Sequence, residues 1–149
     1  MREIIDRLID RGEFISLVES MTGGAITASM VENHSASEVL REALVAYSIN
    51  AKTKHLNITL DDLNKYGVVS AEIAALMASH YQAITKTDMV VSITGYADGH
   101  EPNEAYIGIY YQDEILVHHL VFKSGQTRIQ NIKKCVKETT KLIKKVLGK

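Results

Sequence analysis

A five-residue apolar run, Phe14-Ile15-Ser16-Leu17-Val18, leads directly into Glu19-Ser20-Met21-Thr22-Gly23-Gly24, and a helix-like run, Ala25 to Val31, leads out. This order reads as strand, small polar turn, helix. A continuous apolar strand of this kind belongs inside a parallel sheet, covered on both faces. The turn offers a carboxylate, two hydroxyls and two glycines. Glycines let backbone N–H groups approach a ligand closely, and a helix N-terminus favours negative charge. In open α/β sheets ligands bind beyond the carboxyl ends of strands, where this turn would lie. The rest of the chain is therefore read for what it supplies to this turn.

Strands and helices alternate after it. The pattern predicts a helix over 1–11 stopped by Gly12, a second strand at 43–48, helices over 50–56 and 59–66, and a longer amphipathic helix from a Ser70 cap through Ile84. Ser35-Ala36-Ser37-Glu38 has capping-box spacing for a further short helix. A third strand, Met89–Ile93, runs into a second small polar turn, Thr94–Gly99. A hairpin follows, with strands at 105–111 and 115–122, and a long helix closes the chain from about Gln126 to Leu147. Its expected buried face holds Ile129, Ile132, Val136, Leu142, Ile143 and Val146. The expectation is a single domain over 1–149, a three-layer α/β/α sandwich on a mixed, mostly parallel sheet. With 46% hydrophobic residues the chain can bury a proper core.

Composition narrows the setting. Cys135 is the only cysteine, so no internal disulfide can form, and a reducing cytoplasmic environment is expected. No apolar run suggests a membrane span, and the acid-bearing N-terminus does not look like a signal peptide. From Arg128 onward eight Lys/Arg face one acid, Glu138, whereas residues 1–127 hold nine bases and seventeen acids. The basic tail is read as the solvated face of an amphipathic helix, because no aromatic residues interleave with it to stack on bases. Nucleic acid is not the expected partner.

Ser20 can act as a nucleophile only with a base to take its proton. No histidine lies near it in sequence, but a buried lysine can serve. Lys52 follows Tyr47-Ser48 just past the second strand, so Ser20, Lys52 and Tyr47 could form a serine–lysine hydrolase centre. A serine after a strand is more often a helix cap, and a lysine there is more often solvated. Thr22-Gly23-Gly24 is neither a phosphate-binding G-K-[ST] loop nor a dinucleotide fingerprint. It is read as a tight turn or as an oxyanion or phosphate cradle, and Thr94-Gly95 repeats the device. Asp98, His100 and Glu101 could bind a metal, but such a loop more often only solvates its charges.

Several segments together resemble the CinA C-terminal domain family. Glu19-Ser20-Met21-Thr22-Gly23-Gly24 resembles its E-S-C-T-G-G, Val45 to Lys52 its V-A-Y-S-N-x-x-K, and Tyr66 to Glu72 its H-G-A-V-S-x-E. Ser92-Ile93-Thr94-Gly95 resembles the start of T-G-I-A-G-P. Gly108 falls where the family has P-V-G, and Phe122 and Gly125 match part of F-x-G-D-R. Active members are nicotinamide-nucleotide amidohydrolases, which convert nicotinamide mononucleotide to nicotinic acid mononucleotide and ammonia. The resemblance implies an α/β/α sandwich, often a homodimer, needing no metal or cofactor. It implies Ser20 as nucleophile and Lys52 as base, with Tyr47 beside them. Thr22-Gly23-Gly24, next to Glu19, would handle the oxyanion or phosphate. Thr94 and Gly95 would line the nucleotide pocket. The departures are Met21 for Cys, Ile49 for Asn, Tyr96-Ala97-Asp98-Gly99 for I-A-G-P, and Gln126-Thr127 for D-R, with Arg128 one position beyond the missing arginine. The catalytic centre is thus retained while the recognition shell changes. The alternatives are hydrolysis of another small amide, or a nucleotide-binding domain without turnover.

Overall fold

The computed structural model describes residues 1–148. In chain order the elements are α1 (Arg2–Arg11), β1 (Ile15–Glu19), α2 (Ala25–Val31), α3 (Ala36–Val39), β2 (Leu40–Val45), α4 (Ile49–Leu56), α5 (Leu60–Tyr66), α6 (Ala71–Thr85), β3 (Met89–Tyr96), β4 (Glu104–Tyr111), β5 (Glu114–Val121) and α7 (Arg128–Leu147). The sheet order is β2-β1-β3-β4-β5. β1 pairs parallel with β2 and β3, and β4 is antiparallel to both β3 and β5. Four of the five strands therefore point the same way, a mixed sheet. Among the described residues no helix is long and apolar enough to cross a membrane.

Strand alternation divides the core into two layers. Ile15, Leu17, Val91, Ile93 and Ile107 face α1, α2, α3 and α7, where Ile4, Leu8, Ile26, Met30, Cys135 and Ile143 cover them. Val18 and Val90 face the other way, onto Leu56, Leu63, Ile73, Met77 and Tyr81 of α4 to α6. Every residue of β1 is buried, as expected for a strand paired on both sides. α6 lies close enough to the sheet for Ser92 Oγ to donate to the Ala74 carbonyl at 2.6 Å. His80 Nδ1 donates to the Leu56 carbonyl at 2.8 Å and ties α6 to α4.

The local signals at Gly12, Thr59 and Ser70 act as read: Gly12 is left-handed, Thr59 and Asp62 form a reciprocal capping box, and the Ser70 hydroxyl accepts from the Ile73 N–H. Four expectations shift. β2 spans Leu40–Val45, not 43–48, because it is an edge strand that exposes Arg41 and Glu42 to water, and these interrupt the apolar pattern after Leu40. Ser35 lies at φ 64 and its hydroxyl caps nothing, so the capping box there is not formed. Ile84 is exposed on the last turn of α6. In α7 the buried stripe is Asn131, Cys135, Thr139, Ile143 and Leu147, while Ile129 is exposed. Of the six expected residues, Ile143 is fully buried and Ile132, Val136, Leu142 and Val146 pack against the core, while small polar residues share the centre of the inner face. Burial pushes the Cys135 thiol up to about 12, so it carries no thiolate near neutral pH.

Candidate active site

β1 and β3 end side by side at one sheet edge, and a cleft of about 370 Å³ opens beyond them. This volume lies in the range of small-molecule sites. The pleat decides what each residue at the end of β1 does. Glu19 points toward α2 and α7, and Ser20 points toward α4.

Glu19 is 1% exposed. One carboxylate oxygen accepts from the Thr22 hydroxyl (2.6 Å) and from the N–H groups of Gly24 and Ile26 (3.1 Å each). The other accepts from the N–H and hydroxyl of Thr27 (2.8 and 2.7 Å). The anion at the N-terminus of α2 is thus supplied by the chain itself. Glu19 takes up some of the donors that a ligand-cradle reading of Glu19-Thr22-Gly23-Gly24 draws on. The Thr22 hydroxyl and the Gly24 N–H are held by Glu19, and the Gly23 N–H donates to the Ser20 carbonyl at 3.0 Å. Gly23 and Gly24 sit at φ 61 and 98, where a side chain would be strained, and this lets the chain wrap around the carboxylate. Among the described residues, the N–H groups of Met21 and Thr22 make no such backbone bond.

On the opposite side of the turn, Lys52 enters from the first half of α4. The Ser48 hydroxyl caps that helix by accepting from the Ala51 N–H at 3.1 Å. Lys52 is 1% exposed. Its Nζ lies 2.9 Å from Ser20 Oγ and donates to the Ala46 carbonyl at 2.8 Å. No carboxylate among the described residues pairs with it. Burial pushes the Lys52 ammonium down to about 8. Buried Ser20 and Lys52 both line the cleft. Tyr47 lines it too, but it is exposed and hydrogen-bonds to neither of them.

The far wall comes from the end of β3 and the loop after it. β3 continues to Tyr96, so Thr94 and Gly95 are strand residues rather than turn residues. Both line the cleft, and Thr94 Oγ donates to the Val68 carbonyl at 3.0 Å. A Cβ at Gly95 would run into Met21 Sδ, the Glu104 carbonyl and Ala105 Cα. Gly95 is therefore required by close packing beneath the nucleophile turn. Tyr96 and His100 stack at 3.4 Å between ring centroids. Arg128 lines the mouth, and its guanidinium is held by Asp98 through Nε to Oδ2 and Nη2 to Oδ1, each 3.1 Å. Asp98 and His100 thus face different partners. Among the described residues no group of three His, Cys, Asp or Glu side chains is placed to hold a metal ion.

One contributor escaped the sequence reading. Asn131, fully buried in α7, donates from Nδ2 to the Ala97 carbonyl at 2.8 Å and fixes the start of the 97–103 loop. The available signal was an amide in register with Cys135 and Thr139.

Fold and site together define an α/β domain with a buried serine–lysine pair at the carboxyl edge of its sheet. The chain belongs to the CinA C-terminal domain family, whose profile matches residues 1–147. A Clostridium kluyveri protein named for competence and damage induction is 40% identical over 127 residues, 80% of this chain and 31% of that one. A CinA-like protein of Kosmotoga olearia is 35% identical over 138 residues, 88% of this chain and 34% of that one. The chain thus spans about a third of these relatives. Among solved structures, a competence/damage inducible protein from Agrobacterium tumefaciens superposes with TM-score 0.91 at 23% identity, covering 99% of this chain and 93% of that one. A CinA superfamily protein from Klebsiella pneumoniae superposes at 0.90 and 19% identity, covering 97% and 93%. These two likenesses show the fold.

Proposed function

We propose that the chain is an amidohydrolase that cleaves the carboxamide of a pyridine nucleotide, nicotinamide mononucleotide being the first substrate to test. Ser20 Oγ attacks the amide carbonyl while neutral Lys52 takes its proton. The proton passes to the departing nitrogen, the C–N bond breaks, and ammonia leaves. Water then cleaves the Ser20 ester by the same route, giving the carboxylate. The Met21 N–H, on the residue after the nucleophile, is the donor assigned to the developing oxyanion. Tyr47 is assigned to the substrate side, at the rim.

One observation carries this reading. A lysine amine with almost no solvent contact lies 2.9 Å from a serine hydroxyl, with no carboxylate to hold its proton. A purely structural lysine would be expected to reach water or a counter-charge. The test is ammonia release by purified protein from nicotinamide mononucleotide and related carboxamides, with Ser20→Ala and Lys52→Ala as controls. Release that both substitutions abolish supports the reading, and no release above those controls refutes it. Hydrolysis of a different small carboxamide is favoured by one feature, the acid in the 97–103 loop that occupies the arginine at the mouth.

A further inference from the structure

Among the described residues Arg128 is the one permanently charged cation lining the mouth of the cleft, and a carboxylate already holds it. Lys52 lies deep, near Ser20, so Arg128 is the lining residue suited to grip a phosphate at the outer end of a substrate. Guanidinium binds phosphate best through two parallel N–H donors. Here Nε and Nη2 both go to Asp98. An entering phosphate would have to displace that carboxylate, whose backbone is held on both sides. The Ala97 carbonyl, directly before it, is held by the buried Asn131 side chain at 2.8 Å. After it, the His100 N–H donates to Asn103 Oδ1 at 3.0 Å, and the His100 ring stacks on Tyr96. A displaced Asp98 would remain beside the phosphate as a like charge. The pair is half exposed, so it adds little to stability. Its effect falls on which ligands the cleft accepts, since specificity is a difference of affinities.

We propose that Asp98 is a specificity-determining residue that occupies the Arg128 guanidinium and lowers the preference of the cleft for the 5′-phosphate of a pyridine nucleotide over the unphosphorylated nucleoside. The substrate half of this proposal rests on the amidohydrolase reading. The phosphate half does not.

The test uses four proteins: wild type, Asp98→Asn, Arg128→Gln and the double variant, with Asp98→Ser as a second form of the first change. Inorganic phosphate is titrated into each by calorimetry at low and physiological salt. Ammonia release is measured with nicotinamide mononucleotide and with its unphosphorylated riboside. Asp98→Asn is expected to bind phosphate about tenfold more tightly than wild type, and to raise the kcat/KM ratio of phosphorylated to unphosphorylated substrate by about the same factor. Both gains should vanish in the double variant, because they need a freed Arg128. They should also shrink at higher salt. Wild type binding phosphate as tightly as Asp98→Asn overturns the proposal, as does a gain that survives in the double variant. Absence of ammonia release from every substrate defeats the amidohydrolase reading alone, and the phosphate titration still decides the role of Asp98.

Discussion

The turn after β1 and the loop after β3 leave neighbouring parallel strands at the same sheet edge, yet they are held in opposite ways. In the first, the charged group is buried and saturated: Glu19 accepts from five donors between Thr22 and Thr27, and its carboxylate is left with no part in holding a ligand. In the second, the charged groups are half exposed and hold each other across the cleft mouth, Asp98 on the loop and Arg128 on α7. The comparison separates two tasks. A nucleophile needs a fixed position, and buried, fully satisfied hydrogen bonds provide it. Recognition of the far end of a substrate needs groups that can exchange one partner for another, and exposed pairs allow that because each is worth little.

The largest expected effect tests the rigid side. Lys52→Met should lower kcat by at least about 10³-fold, since it removes the base while Ser20 remains. It should not lower the melting temperature at pH 7, because a buried cation is exchanged for an apolar side chain of similar length. A large loss of stability would mean that the lysine is structural, and the contrast between the two regions would fail. Next, Glu19→Ala should destabilise the domain by about 3–5 kcal/mol in chemical denaturation, because it leaves several buried donors without a partner. Gly95→Ala should cost about 1–3 kcal/mol through overpacking against Met21 and β4. It should also lower kcat, because Met21 adjoins the nucleophile.

The pH dependence sharpens the assignment of Lys52. The free amine is the active form, so kcat/KM should climb with pH and level off above about 8. Stability should follow the same group. Below pH 8 the ammonium is charged in both folded and unfolded chains, and its burial cost is constant. Between about 8 and its usual 10.5 the folded chain has released the proton while the unfolded chain still binds it, so stability rises with pH across that window. Lys52→Met should flatten this rise. The smallest effect belongs to the open side: Arg128→Gln should change stability by no more than about 0.5 kcal/mol.

Much of this was legible in the sequence, for reasons that differ by region. The helix stops and caps at Gly12, Thr59 and Ser70 depend on side chains a few residues apart, so they read correctly. The Ser20–Lys52 pairing joins residues 32 apart, so their chemistry could only suggest it, and the resemblance of two segments to one family singled it out. What periodicity could not supply was direction. It could not show that Glu19 turns inward while Ser20 faces the cleft, nor that α7 buries Asn131 and exposes Ile129. The pleat phase and the helix rotation answer to long-range packing, and the polar residues on the buried stripe of α7 hide its phase. The end of β3 was also misplaced, because Thr94-Gly95 has turn chemistry but is paired with Tyr106 and Ala105.

Thr22, Gly24 and Thr27 all donate to the Glu19 carboxylate within residues 19–27. Such a segment is a closed circuit of recognition, in which the meaning of each letter is set by the others rather than by the cleft. Changing one letter leaves its counterparts stranded, whereas replacing the whole set together need not. The segment should therefore vary by exchange of matched sets or not at all, and it should be transferable as a unit to another strand–helix junction of the same geometry.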